Sequence, residues 1–249
     1  MPVTTTDETW AVNGTILNKL AYNFSGLGGR LNGPDVRGEN LPVPLGADSF
    51  RAHWYGPRKE SWEMWVSELN PADDVPGGRA QASKNLDTIK ALFQGNPGVA
   101  LAVTRIVRLP TVGLQTRTAS AVCKGITVRP NLGAAFHRVT VDVEIPSGVW
   151  LGAAGSGSTS GTVTVGGTAM IVPTLITLTG AATTANTTTG TGFTYTGSSC
   201  TITPATWQSS PAAAIAGLYT TNGQILTLAP GPNVFTGTSV AITWTEAYL

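Results

Sequence analysis

Charge in this chain stops at Trp150. Every Lys, Arg and Asp, and every Glu but one, lies within residues 1–150, and Glu246 is the sole charged side chain beyond them. Soluble domains ordinarily draw about a quarter of their residues from the charged set, so one continuous domain with a uniform surface is excluded. The length of 249 fits one large β domain or two of ordinary size, and the composition favours two, residues 1–150 and 151–249.

The charges that are present nearly cancel. Fifteen Lys+Arg against 14 Asp+Glu leave +1, which is no field for holding DNA phosphates and argues against a dedicated nucleic-acid binder. With 41% hydrophobic residues and seven Trp the chain can bury a core, so wholesale disorder is not expected. Apolar runs such as Ala212–Ala216 fall far short of the roughly 20 residues of a spanning helix. Met1–Trp10 has neither the basic nor the apolar region of a secretory signal, and a soluble protein is expected. Cys123 and Cys200 stand one in each half, which is no disulfide framework, and both read as reduced packing residues.

In residues 1–33, short apolar pieces (Trp10-Ala-Val12, Ile16-Leu17, Leu20-Ala-Tyr22) run into Gly26-Leu-Gly-Gly29 and Gly33, a strand followed by a loop. Residues 34–46 hold three prolines and read as an extended surface arm without ladder hydrogen bonds. Between Phe50 and Leu69, after a break at Gly56-Pro57, Trp62, Met64 and Val66 alternate with Glu63 and Trp65. That period of two predicts paired strands with one buried face, and Trp62 and Trp65 are both read as core or domain packing. Asn70–Gly78 is a loop whose Asp73-Asp74 pair lacks the ligand spacing of a calcium loop and reads as a solvated turn. Leu86, Ile89, Leu92 and Phe93 recur at three- and four-residue spacing and predict a helix over Arg79–Gln94, stopped by Gly95-Asn-Pro97. Strands follow at Val99–Leu109, Thr116–Val128 and Ala135–Val149; in the last, Val139, Val141, Val143 and Ile145 alternate with Arg138, Thr140, Asp142 and Glu144.

Leu151–Gly161 has the composition of a linker or of a tight glycine-rich turn. Beyond it, short runs at Thr162–Val165, Ala169–Leu178, Gly192–Tyr195, Cys200–Ile202, Ile215–Thr220, Gln224–Leu228 and Ser239–Trp244, divided by Gly, Pro and Asn, predict a β-sandwich. Its threonines are β-branched and suit a sheet.

The residues that chemistry would need are missing from their patterns. His53 and His137 are the only histidines, and neither has the setting of a catalytic base; both read as partly buried strand residues. No serine in Gly155–Gly161 completes G-x-S-x-G. Gly28–Gly33 is followed by Pro34-Asp35 where a phosphate loop needs Lys and Ser/Thr, and Leu31 stands where a dinucleotide fingerprint started at Gly26 needs glycine. There is no C-x-x-C or H-E-x-x-H to support zinc. Glu60, Glu63 and Glu68 cluster among tryptophans as in a glycosidase, yet Glu60 and Glu63 are three apart on a strand and so face opposite ways. Asn13, Asn23 and Asn186 head glycosylation sequons that carry no weight without a secretory signal. Arg105, Arg108, Arg117, Lys124, Arg129 and Arg138 bias the strands of 99–145 toward positive charge, read either as a solvated face or as a surface for phosphate or an acidic partner.

The segment Gly33-Pro-Asp-Val-Arg-Gly-Glu-Asn-Leu-Pro42, followed by Trp62-Glu-Met-Trp-Val66, resembles the opening of the distal tail proteins and related minor tail proteins of siphovirus-type, long-tailed phages. The helix Asn85–Phe93 and the close Val143-Glu-Ile-Pro-Ser-Gly-Val-Trp150 are similar to the end of that family's first domain, and Thr188-Thr-Gly190 and Leu228-Ala-Pro-Gly-Pro-Asn233 to turns of its second. The resemblance implies a mainly β fold: an N-terminal tail-tube-like β-sandwich with one α-helix, closing into a hexameric ring, and a C-terminal galectin-like β-sandwich at its periphery. It also implies a structural virion protein, not an enzyme, with no cofactor and no metal, assembled in the host cytoplasm and placed at the distal end of the tail. Its partners would be further copies of itself, the tail tube protein, and tail-tip hub, baseplate and fibre proteins, with DNA only as cargo passing through the lumen. Interaction roles are assigned to Arg37, Arg105, Arg108, Arg117, Trp207 and Tyr219. The alternative is a carbohydrate-binding module or receptor-binding minor tail protein that stacks host glycans on Trp207 and Tyr219, with Asn222 and Gln224 as polar company. A cell-wall hydrolase built on Glu60 and Glu63 is the third reading.

Overall fold

At Asn13-Gly14 both residues take positive φ, 47° and 79°, the geometry that a two-residue hairpin turn needs and that Asn and Gly adopt at least cost. The turn closes β1 (Glu8–Val12) onto β2 (Thr15–Ile16). The computed structural model describes residues 8–17, 19, 21–24, 36–41, 49–94, 99–109, 113–130, 136–221 and 223–249. The chain divides into two compact units, one of Met1–Asp35 with Tyr55–Trp150, the other of Val36–Trp54 with Leu151–Leu249.

Unit 1 continues with β3 (Tyr22–Phe24); β4 (Val36–Leu41) and β5 (Ser49–Tyr55) pair with each other among the described residues and, up to Trp54, belong to the second unit. Then come β6 (Arg58–Ser67), α1 (Gly78–Gln94), β7 (Leu101–Leu109), β8 (Gly113–Pro130) and β9 (Phe136–Ile145). The antiparallel order is β2-β1-β7-β8-β9-β6-β3. The long β8 changes partner along its length, pairing with β7 up to Ala121 and with β9 from Val122, with a bulge between Cys123 and Gly125. A bulge bends its strand and strengthens its twist, and the sheet accordingly doubles over: Trp10 of β1 meets Trp62 of β6 at 5.1 Å although three strands separate them in the order. Val12, Met64, Val66, Val103, Val139, Val141 and Ile145 fill the space between the layers. Into it α1 turns Ala82, Leu86, Ile89 and Phe93, with Phe93 6.3 Å from Trp62. Asn85 fixes the helix to the sheet by donating to the carbonyls of Ser67 and Leu69, 2.8 Å each.

Two expectations for this region need correction. The stretch 34–46 is not all free of ladder bonds, because Val36–Leu41 is a strand; its three prolines, at 34, 42 and 44, lie outside that strand and leave the amides of 36–41 able to donate. Of the two tryptophans read as packing, Trp62 is core but Trp65 is 38% exposed. Gly26–Gly33 lies outside the described residues.

Unit 2 follows with β10 (Trp150–Ser158), β11 (Thr162–Val165), β12 (Leu175–Leu178), β13 (Ala182–Asn186) and β14 (Thr191–Tyr195). It ends with β15 (Cys200–Thr203), β16 (Gln208–Ser210), a 3-10 helix Ala212–Gly217, β17 (Leu218–Thr220), β18 (Gly231–Gly237) and β19 (Ala241–Tyr248). One sheet runs β16-β15-β12-β19-β10 and the other β11-β18-β13-β14-β17. Ile176, Leu178, Ile202, Ile242 and Trp244 of the first and Val163, Val165, Phe193, Tyr195 and Phe235 of the second are buried.

The glycine-rich stretch after Trp150 is neither linker nor turn until Ser158. It is β10, and its glycines make room for aromatic rings: a Cβ at Gly155 would overlap the indole of Trp244, and one at Gly152 the ring of Tyr248, both from β19. Three apolar runs read as strands are shorter or absent. Ala169–Leu178 becomes a strand only from Leu175, Ile215–Thr220 opens in the 3-10 helix, and Gln224–Leu228 is buried at Ile225, Leu226 and Leu228 without being a strand. Burial alone produces such runs, and periodicity cannot separate a buried strand from a buried loop. The sequence reading lacks β13 and β18, whose alternation threonine and glycine mask, and β16, a polar three-residue strand with no apolar side chain to mark it.

The turns at Thr188-Thr-Gly190 and Leu228–Asn233, far apart in sequence, are brought together. Asn186 Nδ2 donates to the Thr227 carbonyl (2.7 Å) and to Asn233 Oδ1 (2.9 Å). Asn233 Nδ2 donates to the carbonyls of Ala229 and Gly231, its Oδ1 accepts from Ala229 N–H, and Thr191 Oγ1 accepts from Thr227 N–H. Both asparagines are wholly buried, and a buried amide is tolerated only when its bonds are made inside.

Candidate interaction surfaces

The glutamates considered for catalysis are held in two different environments. Glu60 is buried in a cage of tryptophans: its Oε1 lies 2.6 Å from Arg58 Nε and accepts from Trp150 Nε1 at 3.1 Å, and its Oε2 accepts from Trp62 Nε1 at 2.8 Å. Trp10 stands edge-on to Trp150 at 5.6 Å. Arg58 is as deeply buried, and its Nη1 has no partner among the described residues. Glu63 lies on the opposite face and takes both contacts of Arg138 Nη2 at 2.6 Å. The pair therefore does not face one substrate.

Of the predicted arginines, two can be placed. Arg105 and Arg117 stand directly opposite each other on β7 and β8. They share the inward face, where Arg105 is buried with its guanidinium 5.1 Å from the Trp10 ring centre and Arg117 donates to Gln115 Oε1 at 3.2 Å. Burial makes Arg105 a packing residue in this unit rather than an exposed contact. Arg37 lies on β4 and Arg108 on β7, and their side chains fall outside the described residues, as does that of His53.

On the face of β6, β9 and the second half of β8 turned away from α1, a different group is exposed. Trp65 packs edge-on against Phe136 at 4.9 Å, and the Arg138 guanidinium lies 5.9 Å from the Trp65 ring centre while it holds Glu63. Arg129 is paired with Arg138 across the strands, is exposed, and has no carboxylate partner among the described residues. Further along, Lys124 reaches Glu144 at 3.3 Å and Ser61 donates to Asp142.

In unit 2, Trp207 is 50% and Tyr219 62% exposed. Trp207 ends the turn between β15 and β16, with φ of 53°, and Tyr219 lies on β17, an outermost strand of the other sheet. Gln224 pairs with Thr221, and Asn222 lies outside the described residues. Among the described residues no group of three or more His, Cys, Asp or Glu is placed to hold a metal ion, and no helix is long and apolar enough to cross a membrane.

No protein-family model matches the sequence, and no curated protein matches it. The structure does match a solved one: the SPP1 Dit (gp 19.1) protein, described as a paradigm of the hub adsorption apparatus in phages infecting Gram-positive hosts. The similarity has a TM-score of 0.61 at 14% identity and covers 97% of this chain and 99% of that one. The chain has the Dit fold. This bears out, at the level of fold, the resemblance to distal tail proteins and the mainly β class.

On this Dit fold the sequence reading missed the group around Trp65. The signal was present: Trp65 shares parity with Glu63 and Ser67, opposite to Trp62, Met64 and Val66, and only its size argued for the core. Phe136 and Arg129 carry no such signal, because they reach Trp65 and Arg138 only through the β6-β9-β8 register.

Proposed function

We propose that this protein is a structural component of a phage tail, a distal tail protein whose copies form a hexameric ring linking the tail tube to the tail-tip hub or baseplate and its fibres. The observation that carries the reading is the similarity to the SPP1 Dit protein over nearly the whole of both chains. Unit 1, with its charged and aromatic outer face, acts as the ring-forming part, and the sandwich of residues 151–249, uncharged but for Glu246, as the peripheral part. Obligate interfaces are depleted in charge, which fits the uncharged stretch 151–245 among protein neighbours. In this role the protein performs no catalysis, needs no cofactor, and lets DNA pass through the ring. It works in the virion tail after assembly in the host cytoplasm. Imaging of intact particles with antibody against this chain tests the proposal: label at the far end of the tail supports it, and label on the capsid or absent from particles refutes it.

The exposure of Trp207 and Tyr219 on an uncharged sandwich favours a second reading, glycan binding at the host surface, since sugars stack on exposed aromatic rings beside neutral polar groups. Binding on a glycan array that disappears in Trp207→Ala would establish it.

A further inference from the structure

We propose that copies of this chain join head to tail by placing the acidic loop Asn70–Gly78 of one copy against the Trp65–Phe136–Arg129 cluster of the next. The inference rests on the ring reading and deepens it by naming the contact.

The cluster is half of a charge-paired contact. Arg129 and Arg138 oppose each other across β8 and β9, an arrangement that like charges disfavour. Glu63 neutralises Arg138, and Arg129 is left exposed without a counter-charge among the described residues. Beside it, Trp65 is held by Phe136 and Arg138 in one orientation. Trp and Arg side chains dominate binding energy at protein contacts, and a Trp already packed against its neighbours has less rotamer freedom to lose. What the cluster lacks is a carboxylate for Arg129.

The loop supplies the complement. Asp73 and Asp74 are both exposed, neither has a cation partner among the described residues, and the next residue, Val75, is 56% exposed. The loop is held in shape by its own bonds: Asn70 N–H donates to the Val75 carbonyl and Asp74 N–H to that of Asn70 (2.9 Å each), and Val75 N–H to Asp73 Oδ1 (3.1 Å). It is a hydrogen-bonded turn that presents two negative charges beside one exposed apolar side chain.

Placement makes the contact one between copies. The loop leads from the end of β6 into α1, which packs on one face of β6 and β9, whereas Trp65, Phe136 and Arg129 lie on the other. Two different patches meeting between identical chains make a heterologous contact, which closes into a ring when the rotation allows.

The test uses the full chain in mass photometry and sedimentation, comparing wild type with Arg129→Glu and with Asp73→Asn/Asp74→Asn, the latter preserving the side-chain oxygens that hold the turn. Near-UV circular dichroism confirms that each variant is folded. Wild type forms rings, and each variant alone has its dissociation constant raised about tenfold or more. Mixed together, the two variants form one-to-one pairs, because a single sound loop and a single sound cluster remain. Trp65→Ala, which leaves the charges in place, also weakens assembly. Rings that survive both charge variants, or full rings from the mixture, overturn this contact and leave the ring reading standing. A wild type that stays monomeric at every concentration overturns both.

Discussion

Among the described residues, unit 1 keeps an ion pair in its interior, whereas the buried polar groups of unit 2 are neutral amides and hydroxyls. In unit 1 the Arg58–Glu60 pair is closed over by Trp10, Trp62 and Trp150, and two indole N–H groups complete the carboxylate's bonding. In unit 2 the Asn186–Asn233 pair is tied to backbone carbonyls and to Thr227. Both arrangements fix one register of distant segments. They differ in what a single lesion leaves behind: an uncompensated charge in one case, an unmatched dipole in the other, and the first is the more expensive in a medium of low polarisability.

That difference sets the order of expected effects. Glu60→Gln, which strands the Arg58 guanidinium, should lower the unfolding free energy by about 3–5 kcal/mol in denaturant titration. Adding Arg58→Met should recover only part of this loss, because the Trp62 and Trp150 N–H groups then meet a weaker acceptor. Asn233→Ala should cost about 2–3 kcal/mol, read from the same titration, since it leaves the Ala229 N–H and two carbonyls without their partner. If Asn233→Ala proved the more damaging, the contrast between the units would be reversed.

The surfaces sharpen the comparison further. Gly155→Ala should cost about 1–3 kcal/mol in thermal or denaturant unfolding, because the added methyl meets the Trp244 indole, and Trp244→Leu in the same chain should relieve part of the loss. Lys124→Ala, on the charged outer face of unit 1, should change stability by no more than about 0.5 kcal/mol, since its pair with Glu144 is open to solvent.

The smallest effect concerns Cys123 beside the β8 bulge. Burial pushes its thiol above the ordinary value, partly opposed by a hydrogen bond with the Gly125 backbone and reinforced by the charge of Asp142. The neutral thiol is thus the form the fold prefers. Its contribution to stability is present below the ordinary thiol value and is lost as the pH rises through the raised one. Alkylation followed by mass spectrometry at about pH 8 should find Cys123 slower to react than cysteine in the unfolded chain.

Much of this was written in local patterns. The three- and four-residue spacing from Leu86 to Phe93 specified α1, the alternation from Val139 to Ile145 specified the inward face of β9, and Asn13-Gly14 specified a turn that few other pairs can make. The exposure of Trp65 was encoded in its parity with Glu63, and the opposite facing of Glu60 and Glu63 in their odd separation. These features rest on the 3.6- and two-residue periods of the backbone, which each segment carries by itself.

Tertiary structure alone decided the rest. Glu60 is a structural carboxylate only because Trp150, 90 positions away, arrives to donate to it. The glycines of 152–157 mark a strand because Tyr248 and Trp244 lie across them, and without those rings the same composition reads as a linker. Arg105, chosen from the sequence as a contact, is withdrawn beneath the surface by the β1-β7 register that sets it over Trp10, and Arg129 is put forward by the β8-β9 register. Sequence determined which face of each strand a side chain takes; the pairing of strands distant in the chain determined what that face meets, because register is fixed by contacts that no local pattern contains.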